Sequence, residues 1–152
     1  MTIRPLRRED IPALSAALAR LPLMQRYRRD APRVESDLAA ALGRGDRLLV
    51  EESAEWPRGV AWFLAAGTLG LGGYLRLLAV VPEATGGGAG TRLLRAFEAE
   101  VARASRHAFL LVSDFNQGAQ RFYERHGYAR VGALPGLVLP DVAELIYWKR
   151  LR

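Results

Sequence analysis

The sequence contains no cysteine, only one lysine and only two histidines. Without cysteine the chain forms no disulfide, has no thiolate nucleophile and binds no metal through sulfur. His107 and His126 are too few to hold a catalytic metal alone, so we expect no metal cofactor. No segment reaches the roughly 18 consecutive apolar residues of a membrane span, and the first residues lack the apolar core of a signal peptide. We therefore expect a cytoplasmic protein with no membrane partner.

Arginine supplies nearly all of the positive charge, because it accounts for 21 of the 22 basic residues behind a net charge of +6. This skew is more typical of genome base composition than of a particular ligand. Five arginines lie between Arg20 and Arg33, where they could attract an anion such as a nucleic acid or an acidic substrate. We favour a solvated basic surface, an interpretation that argues against a nucleic-acid partner.

The length and composition predict one globular domain over residues 1–152. Half of the 152 residues are hydrophobic and a quarter are charged, and the chain has no internal repeat. Apolar spacing and the positions of Gly, Pro and Asp predict the order β-α-α-β-β-β-α-β-α-β-β. This order gives a mixed α/β fold, with a mostly antiparallel sheet of six or seven strands and helices on both of its faces.

Several helix ends are predicted individually. Glu9 or Asp10 is expected to cap the first helix, and a second helix is expected over 34–42, ending at Gly43. A third helix should follow the glycines at 86–90, and a fourth should run from about Asn116 to His126. Asp114 is expected to act as a cap, because aspartate before a helix is favoured there.

Four glycines fall within the five positions 86–90, between an apolar run and a helical pattern. The first backbone N–H groups of a helix have no partner in the helix and carry a partial positive charge, so a phosphate placed there meets several donors. A flexible loop is the structural alternative. The spacing differs from the P-loop, which needs a Gly-Lys pair, and from the dinucleotide motif, whose third glycine is placed differently.

Two longer patterns resemble the signatures of the GNAT superfamily of N-acetyltransferases. The first is V-x-P-E-x-x-G-x-G-x-G-x-x-L-L from Val80 to Leu94, and the second is N-x-x-A-x-x-F-Y-x-x-x-G-Y from Asn116 to Tyr128. The predicted element order is also that of the family, so the resemblance covers nearly the whole chain. It implies acetyl-CoA as the co-substrate.

The resemblance also implies a set of binding residues. The fourth strand would offer backbone groups to the pantetheine arm, the glycine turn would hold the pyrophosphate through its amides, and one face of the later helix would lie beside the pantetheine where the fourth and fifth strands splay apart. In order, these residues are Leu78, Ala79 and Val80; Thr85, Gly86, Gly87, Gly88, Ala89, Gly90 and Thr91; and Asn116, Ala119 and Tyr123. Phe122 is expected to be a core contact instead.

Tyr123 is the predicted catalytic residue. An amine attacks the acetyl carbonyl, and the departing coenzyme A thiolate needs a proton or a hydrogen bond, which a phenol of reference pKa about 10 can supply. A backbone N–H near Val80 would meet the polarised carbonyl. Asn116, Ala119 and Tyr123 also share one helical face, since they are spaced by three and four residues.

The chain departs from the family pattern at two places. Thr85 stands where relatives often carry Gln or Arg, and Tyr74 and Leu111 stand where some relatives carry a catalytic Glu. Asp114, Glu83 and Glu144 are the carboxylates available as a base. An α-amino group is about one-sixth neutral at pH 7, so an acceptor of that kind could react almost unaided, whereas a lysine could not.

The sequence thus predicts an acetyl-CoA-dependent N-acetyltransferase that acts on a primary amine of a protein, peptide or small molecule. The alternative is a module of the same fold that binds an acyl-CoA without turnover, as a sensor or partner domain. The acceptor amine, the length of the acyl group and the oligomeric state, a homodimer included, stay open.

Overall fold

The alternating and helical apolar patterns fold into seven strands and five α-helices, and the computed structural model describes all residues 1–152. The strands are β1 (Thr2–Pro5), β2 (Arg47–Ser53), β3 (Trp56–Thr68), β4 (Gly72–Val80), β5 (His107–Ser113), β6 (Ala129–Pro135) and β7 (Ala143–Arg150). The helices are α1 (Ile11–Leu18), α2 (Pro22–Arg26), α3 (Ala31–Arg44), α4 (Ala89–Val101) and α5 (Gln117–Arg125). Single 3-10 turns occupy Arg8–Asp10 and Pro82–Ala84.

The strand order in the sheet is β1-β2-β3-β4-β5-β7-β6. β4 pairs with β5 in parallel, whereas β1 with β2, β2 with β3, β5 with β7 and β6 with β7 pair antiparallel. The mixed α/β fold with a mostly antiparallel sheet is therefore confirmed. The structure adds one element to the predicted order, the five-residue helix α2, which begins at a proline whose ring suits the first helical position.

The predicted end of α3 is wrong, and the predicted cap of the first helix differs in its hydrogen bonding. α3 runs on through Gly43 and ends at Gly45, whose φ of +83° is the left-handed conformation that a helix C-terminus favours. Asp10, one of the two residues predicted to cap the first helix, occupies the N-cap position of α1, but its side chain makes no capping hydrogen bond to that helix. That carboxylate accepts the backbone N–H of Arg7 at 2.7 Å and so caps the preceding 3-10 turn.

The chain forms two compact units. Unit 1 comprises Met1–Leu64 with Leu77–Phe97, and unit 2 comprises Ala65–Arg76 with Glu98–Arg152, so that β3, β4 and α4 each contribute to both. The prediction of one domain over residues 1–152 stays a prediction. None of the helices is long and apolar enough to cross a membrane.

Unit 1 buries apolar side chains on both faces of its strands. On one face α1 and α3 cover Val50 of β2 and Val60 of β3 in one buried cluster. On the other face the Phe63 ring of β3 meets the Phe97 ring of α4 edge to face, with centroids 5.1 Å apart. This alternation follows from the period of two along each strand. A 3-10 turn and the glycine turn connect the end of β4 to the start of α4.

Unit 2 packs α5 against one face of the sheet formed by β5, β7 and β6. Tyr147 of β7 is fully buried there, and its hydroxyl donates to a Glu124 carboxylate oxygen of α5 at 2.7 Å. Tyr128 is also buried and donates to Glu98 at 2.8 Å. The alternate residues of β5 and β7, which point to the opposite face, are half-buried at Phe109, Leu111, Ile146 and Trp148.

Candidate active site

The glycine turn between β4 and α4 is open to solvent. Residues 85–88 are all exposed, and Gly86 and Gly88 have φ angles of +87° and +84°, which L side chains rarely adopt. A Cβ placed on Gly86 would meet no atom within 4 Å. The backbone of the turn is therefore uncovered, as binding of a ligand by main-chain amides requires.

α4 begins immediately after this turn. Its first turn closes with the Arg92 N–H donating to the Gly88 carbonyl at 3.1 Å. The N–H groups of Ala89 and Gly90 have no carbonyl one turn earlier within the helix to accept them, and the helix dipole adds positive potential there. The turn and the helix start together form a surface suited to an anion such as a pyrophosphate.

Thr85 directs its side chain toward the backbone of its own chain. Its hydroxyl lies 3.4 Å from the Val81 carbonyl, which accepts the hydrogen bond. A longer Gln or Arg at this position could reach beyond the turn, whereas this threonine is held beside the 3-10 turn that precedes it. Binding of an anion at the turn would therefore depend on main-chain groups.

Sequence reasoning missed an ion pair beneath the turn. Arg92 donates to both carboxylate oxygens of Glu51, at 2.6 and 2.8 Å, and only 1% of the Glu51 side chain is exposed. The hydrogen bonds to Glu51 raise the pKa of Arg92. A Cβ on Gly88 would lie 2.9 Å from an Arg92 guanidinium nitrogen, so this glycine leaves space for the arginine. The signal in the sequence was Glu51 itself, an acidic residue that directly follows the apolar run of β2.

The predicted residues of β4 lie in unit 1, close in sequence to the turn. Leu78 and Val80 are half-buried and Ala79 is buried. β4 pairs with β5 at three positions nearer its start, from Gly73 to Leu75. The Ala79 carbonyl faces Gly59 of β3, where an added Cβ would approach it to 2.9 Å. Unit 1 therefore brings together the strand and the turn predicted to bind the coenzyme.

The predicted residues of α5 lie in unit 2. Asn116 caps the helix, because its side-chain oxygen accepts the Ala119 N–H at 3.1 Å. The prediction that Asp114 caps this helix is wrong, because the Asp114 carboxylate accepts the Ala143 N–H at 3.0 Å instead. The position of the Asn116 side chain is therefore fixed by its role as the N-terminal cap of α5.

Tyr123 is buried, with 8% of its surface exposed. Its ring meets the rings of Phe122 and Tyr128 edge to face, with centroid distances of 5.1 and 5.7 Å. Burial alone raises the pKa of the phenol above its usual value, so the hydroxyl keeps its proton throughout the physiological range. A phenol of this kind can donate a hydrogen bond to a thiolate. Phe122 is half-buried beside Tyr123 and His126.

The three carboxylates considered as bases differ in their surroundings. The Glu83 side chain is 63% exposed and pairs with Arg20 at 2.6 Å, and Asp114 is exposed and holds a backbone N–H. Glu144 alone is buried, and it accepts a hydrogen bond from the Ser113 hydroxyl at 3.4 Å. No group of three or more His, Asp or Glu side chains in the structure could hold a metal ion.

The two histidines have structural surroundings. The Nδ1 of His126 donates to the Phe122 carbonyl at 2.7 Å, at the C-terminal end of α5. His107 begins β5, and its Nδ1 accepts the indole N–H of Trp148 at 3.1 Å. Both rings are therefore engaged within unit 2.

Comparisons with known proteins agree with this geometry. A family model of the acetyltransferase (GNAT) domain matches residues 43–130, which is more than half of the chain. The match includes β2 to β5, the glycine turn and α5. No curated protein sequence matches the chain.

Solved structures share the fold over nearly the full length. An aminoglycoside 6'-N-acetyltransferase complexed with coenzyme A is 20% identical, with a TM-score of 0.77, and the alignment covers 99% of this chain and 97% of that one. A ribosomal-protein-alanine N-acetyltransferase from Brucella melitensis is 21% identical, with a TM-score of 0.78 and coverage of 99% and 100%. A candidate acetyltransferase from Salmonella typhimurium with its cofactor acetyl-CoA is 18% identical, with a TM-score of 0.75 and coverage of 100% and 94%. At these identities the similarity shows the fold alone.

Proposed function

Because the chain belongs to the GNAT family of acetyltransferases, we propose that it transfers an acetyl group from acetyl-CoA to a primary amine. The observation that carries the proposal is the exposed glycine turn at the start of α4, whose backbone no side chain covers at Gly86. Main-chain amides from Gly86 to Thr91 would bind the pyrophosphate. Leu78, Ala79 and Val80 would offer backbone groups to the pantetheine arm, with Asn116 and Ala119 contributing from α5.

In the proposed reaction a neutral amine nitrogen forms a bond to the acetyl carbon, and the bond from that carbon to sulfur breaks. The nitrogen loses one proton to a base or to water, and the thiolate receives a proton or a hydrogen bond from the Tyr123 phenol. Burial raises the pKa of that phenol. The phenol therefore keeps its proton at neutral pH and can donate it, or a hydrogen bond, to the thiolate.

Replacement of Tyr123 by phenylalanine tests this role. We expect kcat to fall by about 10²- to 10⁴-fold, as for loss of a positioned proton donor, while the affinity for coenzyme A stays within about twofold. The measurement is thiol release from acetyl-CoA with a panel of peptides, amino acids, polyamines and aminoglycosides, together with calorimetry for coenzyme A.

Tyr128→Phe is the matched control, because it also removes one hydroxyl from a buried tyrosine of unit 2. The Tyr128 hydroxyl donates to Glu98, so this variant should lose stability and keep its kcat. Full turnover by Tyr123→Phe would contradict the assigned role.

A module that binds an acyl-CoA without turnover is the alternative function. It is favoured by the residues at the two positions where some relatives carry a catalytic glutamate, which here are Tyr74 and Leu111. Such a module would bind coenzyme A in the calorimeter and release no thiol with any amine of the panel. We further propose that residues 1–152 act as one domain and that the protein is cytoplasmic.

A further inference from the structure

Unit 2 contains a cavity of about 230 Å³ on the sheet face opposite α5. The side chains that matter for its chemistry are Thr68, Tyr74, Phe109, Leu111, Leu134 and Ile146. The lining is mainly apolar, and the volume is below the roughly 300–1,000 Å³ of sites for drug-sized ligands. The cavity therefore suits a small apolar group.

The strand registers explain why these side chains meet. Tyr74 of β4 pairs with Phe109 of β5, and Leu111 of β5 pairs with Ile146 of β7, so all four point to one face. Gly72 at the start of β4 leaves space for the Phe109 ring, since an added Cβ there would lie 2.6 Å from that ring. The cavity is thus a product of the sheet itself.

A buried hydroxyl lines the cavity. The Thr68 Oγ1 atom is buried and has no hydrogen-bond partner in the protein. Burial of such a group is unfavourable unless something bonds to it, and buried polar atoms without partners are uncommon. A bound molecule with a polar atom beside its apolar group would satisfy this hydroxyl.

A buried carboxylate lies at the same face. Glu144 is 7% exposed and stands two residues before Ile146 on β7, directly opposite Ser113 on β5 and Leu134 on β6. Burial raises the pKa of the nearby Tyr74 phenol, Arg76 opposes this shift, and the negative charge of Glu144 adds to it. An ammonium at this carboxylate would carry its attached group over Leu134 and Ile146, into the cavity.

We propose that this cavity is the acceptor subsite, and that the substrate is a primary amine with one aromatic or branched aliphatic group. Its ammonium would bind Glu144 and lose one proton to that carboxylate or to water before the nitrogen attacks the acetyl carbon. The inference rests on the proposed acetyltransferase function. Polyamines and aminoglycosides fit poorly, because the apolar lining offers no partner for a second cation and the protein already carries a net charge of +6.

The test compares two primary amines of similar length, phenethylamine and the ether alcohol aminoethoxyethanol, with spermidine as a polycation. We expect kcat/KM with acetyl-CoA to be about 100-fold higher for phenethylamine, since burial of several apolar carbons separates the two. Binding of each amine is also measured by calorimetry without acetyl-CoA, so that recognition is observed independently of turnover.

Three variants test whether the preference for phenethylamine depends on the cavity and on Glu144. Leu134 lines the cavity and is 37% exposed, so Leu134→Trp places a larger side chain at the cavity's solvent-facing edge. It should raise KM for phenethylamine at least tenfold and leave the affinity for acetyl-CoA unchanged. Leu137→Trp is the matched control, because Leu137 is 52% exposed in the same β6–β7 segment and does not line the cavity. Glu144→Gln should weaken binding of both small amines at least tenfold.

The outcomes separate the two proposals. Acetylation with no preference for phenethylamine, or no effect of Leu134→Trp, would overturn the subsite and leave the acetyltransferase function standing. Binding of phenethylamine that Leu134→Trp abolishes, with no acetylation of any amine, would support the subsite and overturn the acetyltransferase function. If neither binding nor acetylation occurs, the subsite is wrong, and full activity of Glu144→Gln would remove the ammonium site.

Discussion

At the scale of single residues, the two glycines with positive φ in the turn have different reasons to be glycine. Both need the left-handed conformation, but the space around Gly86 is open, whereas Gly88 faces the Arg92 guanidinium. Arg92 is itself fixed by the buried Glu51 carboxylate. Gly88 therefore serves the packing of the turn, and Gly86 leaves room for a ligand.

Gly86→Ala tests this distinction against Gly70→Ala. Gly70 lies between β3 and β4 with a φ of +67° and also has no atom within 4 Å of an added Cβ. Both changes should cost about 1–2 kcal/mol of folding free energy, because alanine is strained at positive φ. Urea unfolding should show similar losses, and calorimetry should show a weaker affinity for coenzyme A, by tenfold or more, with Gly86→Ala alone. Equal coenzyme A affinities for the two variants would argue against binding of the pyrophosphate by the main-chain amides of the turn.

At the scale of elements, Gly59 sets how closely β3, β4 and α4 approach one another in unit 1. A Cβ at this position would lie 2.9 Å from the Ala79 carbonyl and 3.0 Å from a Leu93 methyl group. One contact is backbone and the other is a fully buried side chain, so neither can move freely. The end of β4 and the start of α4 are therefore positioned partly by the absence of a side chain on β3.

Gly59→Val should destabilise the fold by about 1–3 kcal/mol through overpacking and should weaken coenzyme A binding, because it displaces the carbonyl of Ala79 beside Val80. Gly43→Ala is the matched control, since Gly43 lies inside α3 with no atom within 4 Å of an added Cβ. That change should stabilise the fold by about 0.5–1 kcal/mol. Urea unfolding measures both, and a stable Gly59→Val variant with unchanged coenzyme affinity would refute the packing argument.

At the scale of the whole molecule, several arginines that give the chain its basic charge are paired. Arg20 pairs with Glu83, and Arg29 pairs with Asp37. Arg4 donates to Asp10 and Glu52, and the Arg4 guanidinium holds the pKa of the Asp10 carboxyl below its usual value. Part of the arginine cluster between Arg20 and Arg33 is thus neutralised locally, which fits a solvated surface better than a phosphate-binding one.

The buried tyrosines predict how stability changes in alkali. Burial and then the hydrogen bond to Glu124 raise the pKa of Tyr147 to about 12. The unfolded value is about 10, so the folded state holds this proton more tightly. Stability should be intact below pH 10 and fall as the pH rises toward 12, by at most about 1.4 kcal/mol per pH unit for each tyrosine.

Urea unfolding between pH 8 and pH 11.5 measures this loss. Tyr147→Phe cannot ionise and should show a shallower decline. Glu124→Gln, which keeps the phenol and removes the neighbouring charge, should fall between Tyr147→Phe and the unchanged protein. Parallel curves for all three proteins would show that ionisation of Tyr147 does not limit alkaline stability.

The sequence by itself determined the family and, apart from the short helix α2, the element types and their order, because these depend on local signals. Alternating apolar residues give β7 over Ala143–Arg150, the last strand of the predicted order, and the glycines before Leu93 mark the start of α4. Where local signals were degenerate the prediction failed: Gly43 and Gly45 both suited a helix end, and Asp114 and Asn116 both suited a cap. Only the backbone angles and partners distinguish these residues.

Tertiary structure alone decided which side chains meet across strands and helices. The pairing of Arg92 with Glu51 joins residues of two different elements, and the cavity near Glu144 is lined by side chains from five strands, β3 to β7. Such contacts depend on the register and distance of segments far apart in the chain. A single sequence carries no local signal for them, because burial, pairing and cavity shape are properties of the packed molecule.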